Sequence, residues 1–293
     1  MATYIIIGLV SGVIYGLAAL GLVLIYKGSR IFNFAQGEFG TVAMYTLYVF
    51  VGLAGWSYLA AVPIALLVGG ILGILTERIV VRPLQRSPKI IGLVGTTGAA
   101  LFLVGMELLI AGPLPRGVSG AFEGRGPTIA GFTISKQSLL ALAVLAIVAT
   151  ASALFFKKTH LGLAILANSQ DPIAAKLVGV NVNRISSLTW GIAGVLGALT
   201  GAVLAPEVAI YPGFMTTVIL IPAFTAAIFG GITSLVGAFV AGQLVGLIEA
   251  MGQFALSKSD TLSKVPEGSY VVIFAVLILA LMFRPNGLFG SEA

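Results

Sequence analysis

The chain contains no cysteine, one histidine and few charges. Without cysteine there can be no disulfide, thiolate metal centre or thiol nucleophile. A lone His160 cannot build a multi-histidine metal site. Its place beside Lys157, Lys158 and Thr159, at the end of an apolar run, reads as a membrane-boundary residue. Charged residues make up 9% of the 293 positions, where a soluble domain carries about one-quarter. No G-x-x-x-x-G-K-S/T cradle for nucleotide phosphates occurs, and no nucleophile–base pair stands out. Basic clusters interleaved with aromatics are also missing, so the formal net charge of +6 does not point to nucleic acid.

What is abundant is apolar surface. Hydrophobic residues are 58% of the sequence and mean hydropathy is +1.09. This composition belongs to a polytopic membrane protein, an all-α bundle of transmembrane helices forming a single domain over 1–293. Apolar runs fall at 4–26, 31–53, 57–76, 90–111, 138–156, 185–205, 217–232, 235–255 and 269–283. Spans of about 20 residues give eight to ten crossings. The second and seventh runs are the weakest. Run 31–53 opens with Asn33, Gln36, Glu38 and two glycines, so the segment near 31–40 is expected to be broken or re-entrant. The first run lacks a basic leader and a small-residue cleavage site, and reads as a retained helix.

Lysine and arginine placement sets the orientation. With the N-terminus outside and nine crossings, eleven basic residues fall inside, among them Arg78, Arg82, Arg86, Lys89, Lys176, Arg184 and Arg284. Five fall outside: Arg116, Arg125, Lys136, Lys258 and Lys264. The expectation is N-out and C-in, with 112–137 and 256–268 as external connections. Glycines recur at every fourth position, as Gly8/Gly12/Gly16, Gly69/Gly73, Gly197/Gly201 and Gly242/Gly246. Such stripes let helices approach closely in lipid, and packing within the chain is their expected use.

Polar groups inside apolar runs are the candidate site. Glu38 lies in the broken NFAQGEF segment, where freed backbone groups can face a cavity. Thr96 and Thr97, flanked by Gly95 and Gly98, form a second polar point. Glu107 and Glu249 lie deep in other runs, and ionisable groups there are costly enough to suggest function. Asn33, Gln36, Glu38, Thr96, Thr97, Glu107 and Glu249 are therefore candidates for a solute path or gate. Glu77, at a span end before Arg78, reads instead as part of an interfacial ion pair.

The 157–184 loop carries the clearest local signal. Asp171-Pro172 reads as an N-cap with proline at the first helical position, and Gly179 as the helix stop. Ile173, Ala174, Leu177 and Val178 lie at helical spacing and give a short helix one apolar face. An amphipathic helix on the basic side of a membrane protein suggests docking onto another protein.

These features together resemble the permease family of branched-chain amino-acid ABC importers. The resemblance covers nearly the whole chain: GVIYGLAALGLVLIYKGSRIFNFAQGEFG (12–40), ERIVVRPLQRSPK (77–89), LGLAILANSQDPIAAKLVGVNVNRI (161–185), AFTAAIFGGITSLVGAFVAG (223–242) and FRPNGLFG (283–290). Gln36 stands where the family has histidine, and Leu166-Ala167 where it has Arg-Ala. The resemblance implies a transport subunit without an ATPase motif or cofactor of its own. Two cytoplasmic ATPases would bind ATP and Mg and dock on the 157–184 loop through Gly162, Ala164, Asp171, Pro172, Ala174, Ala175, Leu177 and Gly179. It further implies a second permease (a homologue or a second copy), an extracytoplasmic solute-binding protein and the bacterial inner membrane. Branched-chain amino acids and related small polar solutes are the implied cargo. A channel or secondary carrier working alone is the alternative. It would favour a paired charged site in two symmetric halves and would not need a structured cytoplasmic loop.

Overall fold

The computed structural model describes residues 1–122, 124–129, 132–258, 268–283 and 287–290. Lys264 and Arg284, used above for orientation, lie outside the described residues, as does most of the 256–268 connection.

Each apolar run carries a helix. These are α1 (Ala2–Ser29), α2 (Gln36–Leu47), α3 (Tyr58–Thr76), α4 (Lys89–Ala111), α5 (Lys136–Lys158), α8 (Val182–Leu204), α9 (Leu220–Gly230), α10 (Leu235–Leu256) and α11 (Gly268–Phe283). Between α5 and α8 stand two shorter helices, α6 (His160–Gln170) and α7 (Pro172–Leu177). Among the described residues, six helical segments are long and apolar enough to cross a bilayer: Thr3–Ser29, Tyr58–Val81, Lys89–Ala111, Lys136–Phe156, Val182–Glu207 and Leu235–Leu256. The second, seventh and ninth runs give shorter or more polar helices. The molecule is a polytopic helical bundle. Among the described residues the strands form an antiparallel hairpin, β1 (Arg125–Ile129) and β2 (Phe132–Ser135), in the connection between α4 and α5.

α1 and α8 form the centre. They supply many of the fully buried side chains, including Leu17, Leu20, Leu24, Ile25 and Trp190. α4 lies at the periphery, with Leu101, Phe102, Leu109 and Ile110 exposed to 67–83%. Lipid or another subunit is the natural medium for such a face.

The glycine stripes seat helix on helix. A Cβ on Gly8 would stand 2.8 Å from the Gly246 carbonyl oxygen, and one on Gly12 2.8 Å from Gln243 Cα. Thus α1 and α10 touch backbone to backbone, where dispersion contacts are densest. Backbone cannot yield as a flexible side chain can, so Gly12→Val should destabilise the bundle by about 1–3 kcal/mol. Thermal unfolding in detergent checks this. Gly98→Ala, whose added Cβ meets nothing within 4 Å, should leave the midpoint unchanged or slightly raised.

Among the described residues, three short π-helical stretches interrupt or extend this framework, at Tyr48–Leu53, Glu77–Val81 and Met215–Ile219. A π turn shifts the helix face and commonly marks a specialised position. At the end of α3 the wider turn puts residues five apart on one face. Arg82 therefore grips Glu77 through two hydrogen bonds of 3.1 and 2.7 Å. This corrects the expectation drawn from Arg78, the sequence neighbour: the ion pair runs to Arg82. Ser187 of α8 also donates to Glu77 (2.8 Å), while Arg82 reaches Ser187 Oγ and the Asn183 carbonyl oxygen. The end of α3 is thereby locked to the start of α8.

Candidate functional site

The connection between α1 and α2 turns back into the bundle. α1 stops at Arg30, whose φ of 56° is left-handed and whose N–H closes onto the Tyr26 carbonyl oxygen at 2.8 Å. The chain then runs without helix to Gln36; Ile31, Asn33 and Ala35 stay at most 8% exposed, and Phe32 and Phe34 between them are partly buried. The Gln36 amide packs on Gly21 of α1 and donates to the Ala193 carbonyl oxygen of α8 at 2.8 Å. Gly21 lies eight residues before the end of α1, about 12 Å along the axis. α2 therefore begins deep inside the bundle, as the expected broken segment requires.

Side chains hold the break where no helical ladder can. Asn33 Oδ1 accepts the Ala35 N–H at 3.0 Å, and its amide donates to Gln36 Oε1 at 3.2 Å. Thr96 of α4 accepts the Phe34 N–H at 3.3 Å, and its one hydroxyl proton is shared between the carbonyl oxygens of Phe32 (3.0 Å) and Leu93 (2.9 Å). The Phe34 and Ala35 N–H groups freed by the interrupted helix are thus partnered. Phe32 and Phe34 both pack on Phe224 of α9, with ring centroids 5.9 and 5.0 Å apart. Thr97 takes no part: its hydroxyl bonds back to Leu93 in its own helix.

One turn further along, Glu38 sits in the first turn of α2, where the positive helix end favours a carboxyl group. It is fully buried. Thr41, Thr216 and Glu107 surround it, yet neither carboxyl oxygen completes a well-directed hydrogen bond. Glu107 accepts the Gly213 N–H at 3.0 Å through one oxygen, and its other oxygen has no partner. Gly213 has a φ of +76°, a conformation that suits glycine and turns its N–H toward the carboxyl group. Thr41 accepts the Met215 N–H at 3.1 Å, tying α2 to the π turn that carries Thr216.

The structure thus gathers Asn33, Gln36 and Thr96 at the break and brings Glu38 and Glu107 together beyond it. All five are at most 6% exposed, so the break is sealed in this conformation. Glu249 stands apart from them. It accepts the Tyr15 hydroxyl proton at 2.6 Å and joins α10 to α1. Sequence reasoning did not find Thr41, Thr216 or the Gly213 N–H. The Tyr211-Pro212-Gly213 turn was the visible sign of an irregular backbone, but nothing local told which carboxyl group it faces.

The segment between α5 and α8 forms an arm. Thr159 caps α6 by accepting the Gly162 N–H at 3.0 Å. Asp171 Oδ1 accepts the N–H groups of Ile173 (2.8 Å) and Ala174 (3.0 Å), with Pro172 following it. Gly179, at φ +88°, ends the turn after α7. A Cβ on Gly162 would stand 2.7 Å from Phe156 Cα, so glycine there lets α6 fold against the end of α5. Ala175 and Ile165 turn inward and are buried, and Ala164 is partly buried. Ile173, Leu177 and Val178 are 75–83% exposed. The amphipathic helix expected from the sequence is present, with its apolar face bare.

A multi-pass membrane bundle with a side-chain-braced break at its centre and a capped apolar arm at one end has the organisation of a transport subunit. The family described as "Branched-chain amino acid transport system / permease component" matches residues 4–281, and the chain belongs to it. The chain is 31% identical to the high-affinity branched-chain amino acid transport system permease protein BraD of Pseudomonas aeruginosa, over 97% of this chain and 94% of that one. Identity to the permease protein LivH of Escherichia coli K12 is 30%, over 97% and 93%. An archaeal relative, the probable branched-chain amino acid transport permease protein LivH of Methanocaldococcus jannaschii, is 25% identical over 94% and 88%.

Proposed function

We propose that this chain forms the solute path of an ATP-driven importer of branched-chain amino acids or closely similar small solutes. It would sit in the inner membrane with its N-terminus outside and its C-terminus inside. ATP and Mg would bind to two separate cytoplasmic ATPase subunits. A second permease would complete the membrane unit, and an extracytoplasmic binding protein would deliver the solute. The observation that carries this reading is the arm at 159–181. Its capped, exposed apolar helix has the form of a docking element, and a channel or carrier working alone has no use for one. The family membership and the full-length similarity to BraD and LivH support the same reading.

Within that scheme the α1–α2 break is the gate. Movement of the arm reaches it through α8, which follows the arm in sequence and holds Gln36 through the Ala193 carbonyl. The Glu38–Glu107 pair lines the path once the break opens. Glu38→Gln should lower uptake by about tenfold or more, equivalent to about 1.4 kcal/mol on the limiting step. Solute affinity of the binding protein and the amount of permease in the membrane should stay unchanged. Unaltered uptake in Asn33→Ala, Gln36→Ala and Glu38→Gln alike would remove the segment from the path.

The proposal as a whole is tested by purifying the chain from its native membrane in mild detergent and identifying its companions by mass spectrometry. An ATPase subunit should accompany it. A chain that stays alone even after mild crosslinking would favour the independent channel or carrier.

A further inference from the structure

At the end of the bundle where the arm attaches lies a cavity of about 300 Å³, near the lower limit of small-molecule sites. It is enclosed by the end of α1, the turn after α3, the start of α4, α6 of the arm and the start of α8. Ser29, Lys89, Asn168 and Ser186 supply polar groups, and Ile31 and Val81 part of an apolar wall. Its chemistry is asymmetric. No carboxylate lines it among the described residues, while Lys89 brings a cation to the N-terminus of α4. That helix has Pro88 at its N-cap and no side-chain cap; the Ile91 N–H closes onto the Pro88 carbonyl oxygen at 2.9 Å, which leaves the Lys89 and Ile90 N–H groups for an anion. Asn168, 3% exposed, also lines the cavity. Its amide donates to the Gly28 carbonyl oxygen at 3.3 Å, which fixes its orientation, and its Oδ1 has no partner. A buried acceptor left without a donor is costly. A ligand N–H would relieve it.

We propose that this cavity binds a small zwitterion of the amino-acid class. The carboxylate would sit at Lys89 and the α4 N-terminus, the ammonium group would donate to Asn168 Oδ1, and an aliphatic side chain would lie on Ile31 and Val81. This deepens the importer reading and rests on it for its consequence. The occupant bridges α6 of the docking arm to α1, α4 and α8. It therefore stabilises the arrangement of arm and bundle seen here and opposes any step that moves one against the other. The cavity acts as a brake: a high concentration of the zwitterion on the arm's side slows ATP-driven turnover.

The test uses the purified transporter in lipid nanodiscs, without binding protein, and radiolabelled L-leucine as the probe. Saturable binding is expected, with slower ATP hydrolysis at saturation. Asn168→Leu and Lys89→Met should each weaken binding by about tenfold or more, and Lys89→Arg should retain it. Isovalerate, which lacks the ammonium group, and isoamylamine, which lacks the carboxylate, should each compete about tenfold less well than leucine or worse. Stronger competition by another amino acid would assign the site to that zwitterion through the same contacts. Absence of saturable amino-acid binding, or binding indifferent to both substitutions, would overturn the proposal. Isovalerate competing as well as leucine would overturn the role of Asn168. Binding is read on the chain whatever accompanies it, so loss of this site is distinguishable from failure of the importer reading, which shows as a missing ATPase.

Discussion

Leu177→Glu is expected to abolish uptake while leaving the permease folded in the membrane. Leu177 is 83% exposed, so nothing within the chain needs its apolar side chain. Buried in a partner's cleft, a leucine contributes about 1.5–3 kcal/mol. Glutamate at the same position loses that term and must also be stripped of water. Together these amount to a fall in ATPase association of about a hundredfold, read as loss of co-purifying ATPase and of solute uptake. Ile173→Glu on the same face should behave alike. Asp171→Ala acts differently: it removes the cap that orders α7, worth about 1 kcal/mol, and should weaken coupling without abolishing it. Full uptake by Leu177→Glu would leave the arm without its proposed role.

The second large effect concerns stability. Glu77 is fully buried and held by Arg82 and Ser187. Arg82→Met leaves its carboxylate without a cation in a low-dielectric setting. Removing one partner of a buried pair costs about 3–5 kcal/mol, and the one-third exposure of Arg82 places this case near about 3 kcal/mol. Because the cost is the uncompensated charge, Glu77→Gln together with Arg82→Met should recover most of it. Thermal unfolding of both variants in detergent checks the prediction. Equal loss in the single and double variants would mean that shape, not charge, holds α3 to α8.

The same residues show how far the sequence could be read. The apolar runs and the glycine spacing were legible because bilayer length and close helix approach act locally and periodically. Asp171, Pro172 and Gly179 were legible because capping chemistry spans a few residues. Glu77 was visible as an ion-pair member, but an α-helical register hid Arg82, which a π turn brings round. The break at 31–35 could be placed from its polar residues and glycines. Its bracing by Thr96 and by Ala193 of α8 joins positions far apart in the chain, and no local pattern encodes such pairs. For the same reason Glu107 and Glu249 looked equivalent along the sequence, whereas packing sets the first beside Glu38 and gives the second to Tyr15. The β-hairpin went unread because two strands of four or five residues in a Gly- and Pro-rich connection carry little periodic signal.

In the importer proposed here the chain moves solute only when ATPases on its arm hydrolyse ATP. The direct measurement is uptake into proteoliposomes holding the purified transporter, with binding protein and labelled branched-chain amino acid on one face and ATP on the other. Accumulation that requires ATP on the arm's side, and that disappears in Leu177→Glu, is the predicted result. Equal solute entry without ATP, or accumulation driven by an ion gradient alone, would contradict the account and make the chain a channel or carrier.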